Sequence, residues 1–354
     1  MKLRVWRYEL AMAHRWAIAR GLGPGGEGGS DGFTVVFVEL TDKDGVVGIG
    51  EAATSARYGE TPTSAQSFME WVNPYQLSFT DIKTSMVYLD KVAPGQYGAK
   101  CALNIALLDG RAKLAGKPVH EFLEVGFTEG KHTTSFSIGI ASPEEIKLKV
   151  QAAEGYPILK LKVGGPGDRE VLAALREVAP TKLVRVDANE GWKTKEEALR
   201  NLEWLAADGN IQFVEQPMPA GTVPEDLIWL KERSPLPLMA DESYKNASDI
   251  ELCEACFHAV NVKLVKAGGI LAGLEALRTA RKAGLKTMLG CMIESSVLIT
   301  AAAHLAEWTD YLDIDGNLLV KNDPYVGVSA HQGVISFASA PNRVGLCVGP
   351  RVQA

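Results

Sequence analysis

ILKLKVG, residues 158–164, sets Lys160 and Lys162 two positions apart at the end of a short apolar run. On a strand, residues at i and i+2 point the same way. The pattern recurs downstream. VDANEGW carries Asp187, VEQPM carries Glu215, ADES carries Asp241 and VKLVKAGG carries Lys266, each at the C-terminal end of an apolar run. Successive members stand about 25 residues apart, the length of one βα unit. In a barrel of eight parallel strands, side chains at the strand C-termini converge on one mouth. The spacing therefore predicts one pocket shared by two or three lysines and three carboxylates. Three carboxylates repel each other unless a cation neutralises them, and Mg²⁺, a hard ion taking oxygen ligands, suits that set.

Around this stretch the chain reads as alternating strand and helix. From about Thr133, eight strand-like runs, SFSIGI, ILKLKV, KLVRVD, IQFVE, PLMAD, AVNVKL, KTMLG and YLDID, are separated by helical stretches such as PEEIKLKVQAAE and KEEALRNLEWLAA. That grammar predicts a parallel α/β barrel. Before it, residues 1–50 carry extended patterns with Asp44-Gly45 as a hairpin signal. Residues 64–118 read as helices, with a 3.6-residue apolar period in ALNIALLDGRAKLAG. The expected organisation is an α+β N-terminal domain over 1–125, a barrel over 126–325, and a segment, 326–354, returning to the N-terminal domain.

The 354 residues, 46% hydrophobic and 23% charged, suit a globular protein of about two domains. A net charge of −6 leaves no basic footprint for nucleic acid. No apolar stretch approaches the roughly 20 residues of a membrane span. The opening MKLRVWRYEL lacks an apolar signal core. With five scattered cysteines, free thiols in a reducing cytoplasm are expected.

Two patterns imitate sites. Cys253-Glu-Ala-Cys256, followed by His258, is formally C-x-x-C, but a zinc site needs a second ligand pair, and SDIELCEACF reads as an amphipathic helix burying both thiols. Gly21, Gly23 and Gly26 satisfy G-x-G-x-x-G, but no helix pattern follows and no βαβ unit encloses them. A flexible connection, or a flap near the site, is the expectation.

Two lysines crowded beside a metal ion favour the neutral amine, which makes a general base near neutral pH. Lys266, four strands on from Lys162 in an eight-strand ring, would face it across the pocket, with Lys263 lying within the strand. Opposed bases permit proton removal from one face of a carbon and return on the other, which inverts a stereocentre. An α-proton beside a carboxylate is weakly acidic, and a bound Mg²⁺ with a nearby lysine stabilises the resulting enediolate. The pairing of a lysine base with Mg²⁺ is a known pattern of enolase-type sites.

KLKVG, VDANEGW, VEQPM, ADES and NVKLVKAGG together resemble the enolase superfamily in its muconate-lactonizing subgroup, and ALNIALLDGRAKLAGKPV resembles a helix of that family's capping domain. The resemblance spans nearly the whole chain. It implies a modified (β/α)₇β TIM-type barrel beneath an α+β capping domain. It also implies Asp187, Glu215 and Asp241 as ligands of one Mg²⁺, Lys162 and Lys266 as opposed bases with Lys160 as the tuning neighbour, and Asn189 and Glu242 behind the ligands. Homo-oligomers are common among related proteins.

Several activities share that catalytic set, and Asp313-Ile314-Asp315 in YLDIDGN discriminates among them. Alternation puts both carboxylates at the mouth, where a substrate ammonium would compensate them; Asp315-Gly316-Asn317 also makes a good turn. Dipeptide epimerases resemble this chain here, and also at Ala19-Arg20-Gly21 and Arg57-Tyr58-Gly59-Glu60-Thr61. Arg20, Tyr58, Glu294 and Thr134 complete the expected substrate-binding set with the two aspartates. The implied activity is epimerisation of a dipeptide at the α-carbon of its C-terminal residue. An N-acylamino acid racemase, o-succinylbenzoate synthase or cycloisomerase is the alternative, on substrates with no free ammonium. A non-catalytic ligand-binding scaffold would have lost a base or a ligand, and every required residue is present. The glycine-rich stretch after Arg20 is longer than the family's usual loop, which leaves the second residue of the dipeptide open. Glu27, Asp31 and Glu60 tilt it toward a cationic or polar side chain.

Overall fold

The computed structural model describes residues 1–21 and 28–352. Three antiparallel strands open the chain: β1 (Lys2–Trp16), β2 (Ser30–Thr41) and β3 (Val47–Ala52), hydrogen-bonded in that order. The β2–β3 connection is turned by Asp42, whose Oδ1 accepts from the amides of Asp44 and Val46 at 2.9 Å, and by Gly45 in the left-handed region (φ 84°). Helices α1 (Pro62–Trp71), α2 (Ile82–Val92), α3 (Tyr97–Leu114) and the single turn α4 (Val119–Phe122) follow. Helix α3 seats directly on β3, because a Cβ at Gly48 or Gly50 would stand about 2 Å from the Ala106 and Ala102 carbonyl oxygens. Only glycine permits that approach, and it makes α3 nearly fully buried.

The second part alternates strand and helix: β4 (Phe136–Ile138), α5 (Pro143–Ala152), β5 (Ile158–Lys162), α6 (Asp168–Val178), β6 (Leu183–Asp187), α7 (Lys195–Ala206), β7 (Ile211–Glu215) and α8 (Pro224–Arg233). It continues through β8 (Leu238–Ala240), α9 (Ile250–Cys256), β9 (Ala259–Lys263), the single turn α10 (Leu264–Ala267), α11 (Ile270–Lys282), β10 (Lys286–Gly290), α12 (Ser296–Ala303) and β11 (Tyr311–Asp313). All eight strands are parallel and paired in sequence order. An isolated parallel bridge between Thr134 and Leu312, with Ser135 N donating to Leu312 O at 3.2 Å, brings the last strand beside the first and nearly closes the ring. The eight runs read from the sequence are these eight strands. Their residues are buried on both faces, which is why they read as continuous apolar runs rather than alternating ones.

Buried contacts bind the N-terminal unit to the barrel. Glu51 at the end of β3 accepts from Ser295 N (2.8 Å), Ser295 Oγ (2.5 Å) and Leu298 N (3.2 Å), so a carboxylate of one unit caps α12 of the other. Asn104 of α3 packs on Gly269, whose φ of 126° no other residue adopts easily. In the C-terminal stretch, Gly345 exchanges hydrogen bonds with Lys117 and Val119, and Leu346 N donates to Asp109 Oδ1 at 2.8 Å. Cys253 and Cys256 are buried on α9, and all five cysteines are free. Among the described residues no helix is long and apolar enough to cross a membrane.

Candidate active site

Parallel register decides what meets at the barrel mouth. Lys162 pairs with Asp187 and Asp187 with Glu215, so the ends of β5, β6 and β7 lie level. Asp241 follows β8 directly and Lys263 ends β9. Carboxylate oxygens of Asp187, Glu215 and Asp241 all lie within 4.8 Å of one another, and all three residues are buried. Lysines surround them. Lys160 Nζ lies 2.7 Å from Glu215 Oε2 and 3.3 Å from Asp187 Oδ2. Lys162 Nζ donates to Asp187 Oδ2 at 2.7 Å, and Lys263 Nζ to Asp241 Oδ2 at 2.9 Å.

The charges shape one another. Burial raises Asp187, but the Lys162 and Lys160 ammonium groups override it and hold it at about 2. Burial and the nearby Asp187 push Glu215 up to about 7. Asp241, also buried, is held well below the carboxylate range by Lys263 and Lys266. Burial opposes the charge on Lys160 and Lys263, yet the adjoining carboxylates raise both above an ordinary lysine. Lys160 and Lys263 thus serve as the carboxylates' counter-ions.

The donor set fits a hard divalent cation. Three buried carboxylates converge, and among the described residues Glu215 Oε2 and Asn189 Oδ1 have no hydrogen-bond partner, although Lys160 lies near the former. Asn189 N donates to Asp187 Oδ1 at 2.9 Å, which fixes that ligand from a turn in which Asn189 (φ 44°) and Glu190 (φ 65°) are both left-handed.

A cavity of about 410 Å³ lies over this cluster, and Lys160, Lys162, Asn189, Lys263, Asp313 and Asp315 are among its walls. Trp16, Ile18, Phe33, Ile293 and Leu319 supply its apolar side, and Arg20, Gly21, Gly29 and Ser30 its rim. Asp313 Oδ1 accepts from Ser135 Oγ at 2.8 Å, and Asp315 Oδ2 from Ser137 N at 2.6 Å. Burial raises Asp313, and Lys160 pulls it below the usual range; burial and Asp313 push Asp315 up to about 7. Among the described residues no cation is bonded to the Asp315 carboxylate, which leaves a place for a ligand's positive charge.

Arg20 reaches the cavity with its guanidinium already engaged by Glu190 and Glu242. Glu190 also takes Arg57 through both oxygens at 2.8 Å and Ala220 N at 2.8 Å, so it latches the N-terminal unit's loops to the barrel. Tyr58 lines a neighbouring chamber of about 500 Å³, which meets the first at Ala53, Thr54, Ser55 and Met292. Glu60 borders that chamber, but its oxygens cap α3 through Tyr97 N (2.6 Å) and Gly98 N (2.8 Å). Asp31 is exposed and pairs with Arg15. Gly23, Gly26 and Glu27 lie outside the described residues.

Three expected site residues are placed otherwise. Lys266 does not end a strand: β9 stops at Lys263, and Leu264–Ala267 coil into a turn closed by Gly268 (φ 99°). Its ammonium is drawn beneath the mouth, bonded to Asp241, Tyr244 and Asn261, and its side chain exposes no surface although the residue borders the second chamber. Lys263 occupies the strand end facing the cavity instead. Glu294 is buried with Oε2 turned onto Met292 N, and the cavity wall there is Cys291, Met292 and Ile293. Thr134 sits behind the strands, its Oγ1 accepting from Ile314 N at 2.8 Å. Missed altogether were Asn261, whose Nδ2 donates to Glu215 Oε1 at 2.8 Å, and Gln216, whose Oε1 accepts from Asp241 N and Ser243 N. Ser135 and Ser137 carried a signal, as polar residues at alternate positions of an otherwise apolar strand.

Comparison with known proteins places this geometry. Residues 145–351 match the enolase C-terminal domain-like family, and residues 28–124 match the mandelate racemase/muconate lactonizing enzyme N-terminal domain. The chain is 57% identical to an L-Ala-D/L-amino acid epimerase of Pedosphaera parvula over 98% of this chain and 99% of that one. Its fold superposes with a TM-score of 0.90 on a substrate-liganded L-Ala-D/L-Glu epimerase of Bacillus subtilis, 27% identical, covering 99% of each chain. A dipeptide epimerase of Cytophaga hutchinsonii complexed with Mg and D-Ala-L-Val superposes with a TM-score of 0.88, at 28% identity, over 99% of this chain and 95% of that one.

Proposed function

From the premise that the chain belongs to the mandelate racemase/muconate lactonizing enzyme family of the enolase superfamily and is an isomerase, we propose that it epimerises dipeptides by Mg²⁺-dependent 1,1-proton transfer at the α-carbon of the C-terminal residue. The observation that carries this reading is the opposition of Lys162 and Lys263. They end the second and sixth strands of an eight-strand ring, line one cavity and each bond a different carboxylate of the buried triad.

Held by Asp187, Glu215 and Asp241, Mg²⁺ would neutralise the charge that gathers on the substrate carboxylate as the α-proton leaves. One of Lys162 and Lys263 takes the proton from one face and the other, protonated, supplies one to the opposite face, so each is the base for one stereoisomer and the acid that re-forms that same stereoisomer from its epimer. Lys160, whose ammonium is raised by its three carboxylate neighbours, stays charged beside the developing enediolate. Asp315, with Asp313 beside it, receives the α-ammonium of the N-terminal residue. The Glu190 latch to Arg20 and Arg57 keeps the N-terminal unit over the mouth and excludes water. Five free thiols suit a reducing cytoplasm.

The test is incubation with pooled L,L-dipeptides and Mg²⁺ in D₂O, read by mass spectrometry and chiral separation. The expected result is one deuterium at the C-terminal residue's α-carbon, accompanied by the L,D isomer. No exchange with any dipeptide, from protein that binds Mg²⁺, overturns the reading in favour of substrates without a free ammonium.

A further inference from the structure

Lys266 is an ammonium group bonded mostly by backbone. Its Nζ donates to the Asp241 carbonyl at 2.5 Å, Asp241 Oδ1 at 2.6 Å, the Tyr244 carbonyl at 2.9 Å and the Asn261 carbonyl at 3.0 Å. Four oxygens thus surround a group with three N–H donors. They come from the first and fourth residues of the loop after β8 and from the middle of β9, so one group ties two segments together. A cage of carbonyl and carboxylate oxygens is the ligand set of a bound cation, and here the cation is tethered by its own side chain. Full burial makes each of these bonds costly to lose.

The tie ends on a carboxylate of the triad. Asp241 is fixed from three directions: Lys266 on its carbonyl and Oδ1, Lys263 on Oδ2, and Gln216 Oε1 on its amide at 2.9 Å. Lys263 faces the cavity and is free to exchange its partner for substrate. Lys266 has no such freedom, since all its acceptors are internal. We propose that Lys266 is a positioning residue, an internal cation that fixes the Asp241 main chain and carboxylate in place before the metal ion binds. This rests on the reading that the triad holds Mg²⁺. It separates two lysines three residues apart into different roles, Lys263 acting on substrate and Lys266 on the ligand.

The experiment is Lys266→Met, of similar length and without charge, in the full chain. Mn²⁺ binding to the substrate-free protein is followed by the electron paramagnetic resonance of the free ion. A lost partner behind a metal ligand weakens metal binding roughly 10–100-fold, and that rise in Kd is the expected result. The metal concentration giving half-maximal epimerisation should rise by the same factor, with kcat recovering toward wild type at saturating metal and α-proton exchange falling equally for both stereoisomers. Unchanged Mn²⁺ affinity, with exchange from one isomer lost at every metal concentration, would make Lys266 a base and overturn the proposal. If the wild type turns over no dipeptide, the functional reading fails while the Mn²⁺ affinity ratio still decides this one. Should K266M not fold, nitrogen-15 spectra of the lysine side chains in the wild type replace it. A slowly exchanging Lys266 ammonium signal that shifts on addition of Mg²⁺ supports the proposal; a rapidly exchanging or unresponsive one overturns it.

Discussion

Lys160 Nζ stands 2.6 Å from Asp313 Oδ2, joining the second strand of the barrel to the eighth beneath the cavity. The same nitrogen lies within 3.3 Å of Asp187 and Glu215, so a single buried ammonium serves the carboxylates at the metal position and one at the substrate end. Removing it leaves buried Glu215 and Asp313 without their bonded cation and Asp187 with Lys162 alone. Breaking a buried pair by deleting one partner costs about 3–5 kcal/mol. Lys160→Met should therefore melt well below the wild type in chelator, with part of the loss recovered in Mg²⁺, which replaces the missing charge at Asp187 and Glu215. Calorimetric melts with and without metal check this, and coincident melts of the two proteins in chelator would show that the bridge contributes nothing.

Lys162 and Lys263 face the same cavity from opposed strands, so each should serve one stereoisomer. A positioned general base contributes about 10²–10⁴-fold. Lys263→Ala should lose epimerisation by that order while still exchanging the α-proton of one isomer in D₂O, and Lys162→Ala should exchange that of the other. Proton NMR of L,L and L,D dipeptides decides it. Normal epimerisation by K263A would remove Lys263 from the mechanism.

What the sequence conveyed well was what strand ends convey: an apolar run buried on both faces and then a charged residue, repeated at one βα unit. That located Lys160, Lys162, Asp187, Glu215 and Asp241 at one mouth. It failed where the backbone changes type without changing composition. VKLVKA is apolar and basic throughout, so nothing in it marks the switch from strand to helical turn after Lys263; the marker, Gly268-Gly269, comes later and is equally compatible with a longer strand. Glu294 and Thr134 were misplaced for a related reason, because burial behind a strand and exposure at its mouth leave the same residue types. The Glu190 latch depends on two consecutive left-handed residues, a conformation that Asn189-Glu190 does not announce. Asn261 was hidden because one polar residue inside a strand has many partners open to it until the neighbouring strand end is known.

Asp315 sets a pH dependence for substrate capture. Burial and Asp313 hold its carboxyl at about 7, so below that it is protonated and attracts no ammonium. The dipeptide's own α-amino group deprotonates at roughly 7.7–8.0. The kcat/KM for a dipeptide should rise through pH 7 and fall above about 8. Asp315→Asn should lose the rising limb together with activity, since truncating one side of a buried charge pair costs about 2–5 kcal/mol. A D315N enzyme with an unchanged profile would shift the assignment toward substrates lacking a free ammonium.

Glu51 makes a prediction about the joint between the two units rather than about chemistry. It is fully buried where it caps α12, and burial holds its carboxyl at about 7 despite bonds from Ser295 and Leu298. A group whose folded value lies above its unfolded one, about 4.3 for glutamate, takes up a proton on folding. Its contribution is full below the unfolded value and is lost as pH rises through about 7, a change on the order of 3 kcal/mol. Glutamine keeps one acceptor oxygen and cannot ionise. Glu51→Gln should thus equal or fall below the wild type near pH 5 and gain on it by several degrees of Tm by pH 8. Melting both proteins across that range at fixed metal concentration isolates the effect, since every other titrating group is common to the pair. A constant difference in Tm would mean that Glu51 stays in one protonation state throughout.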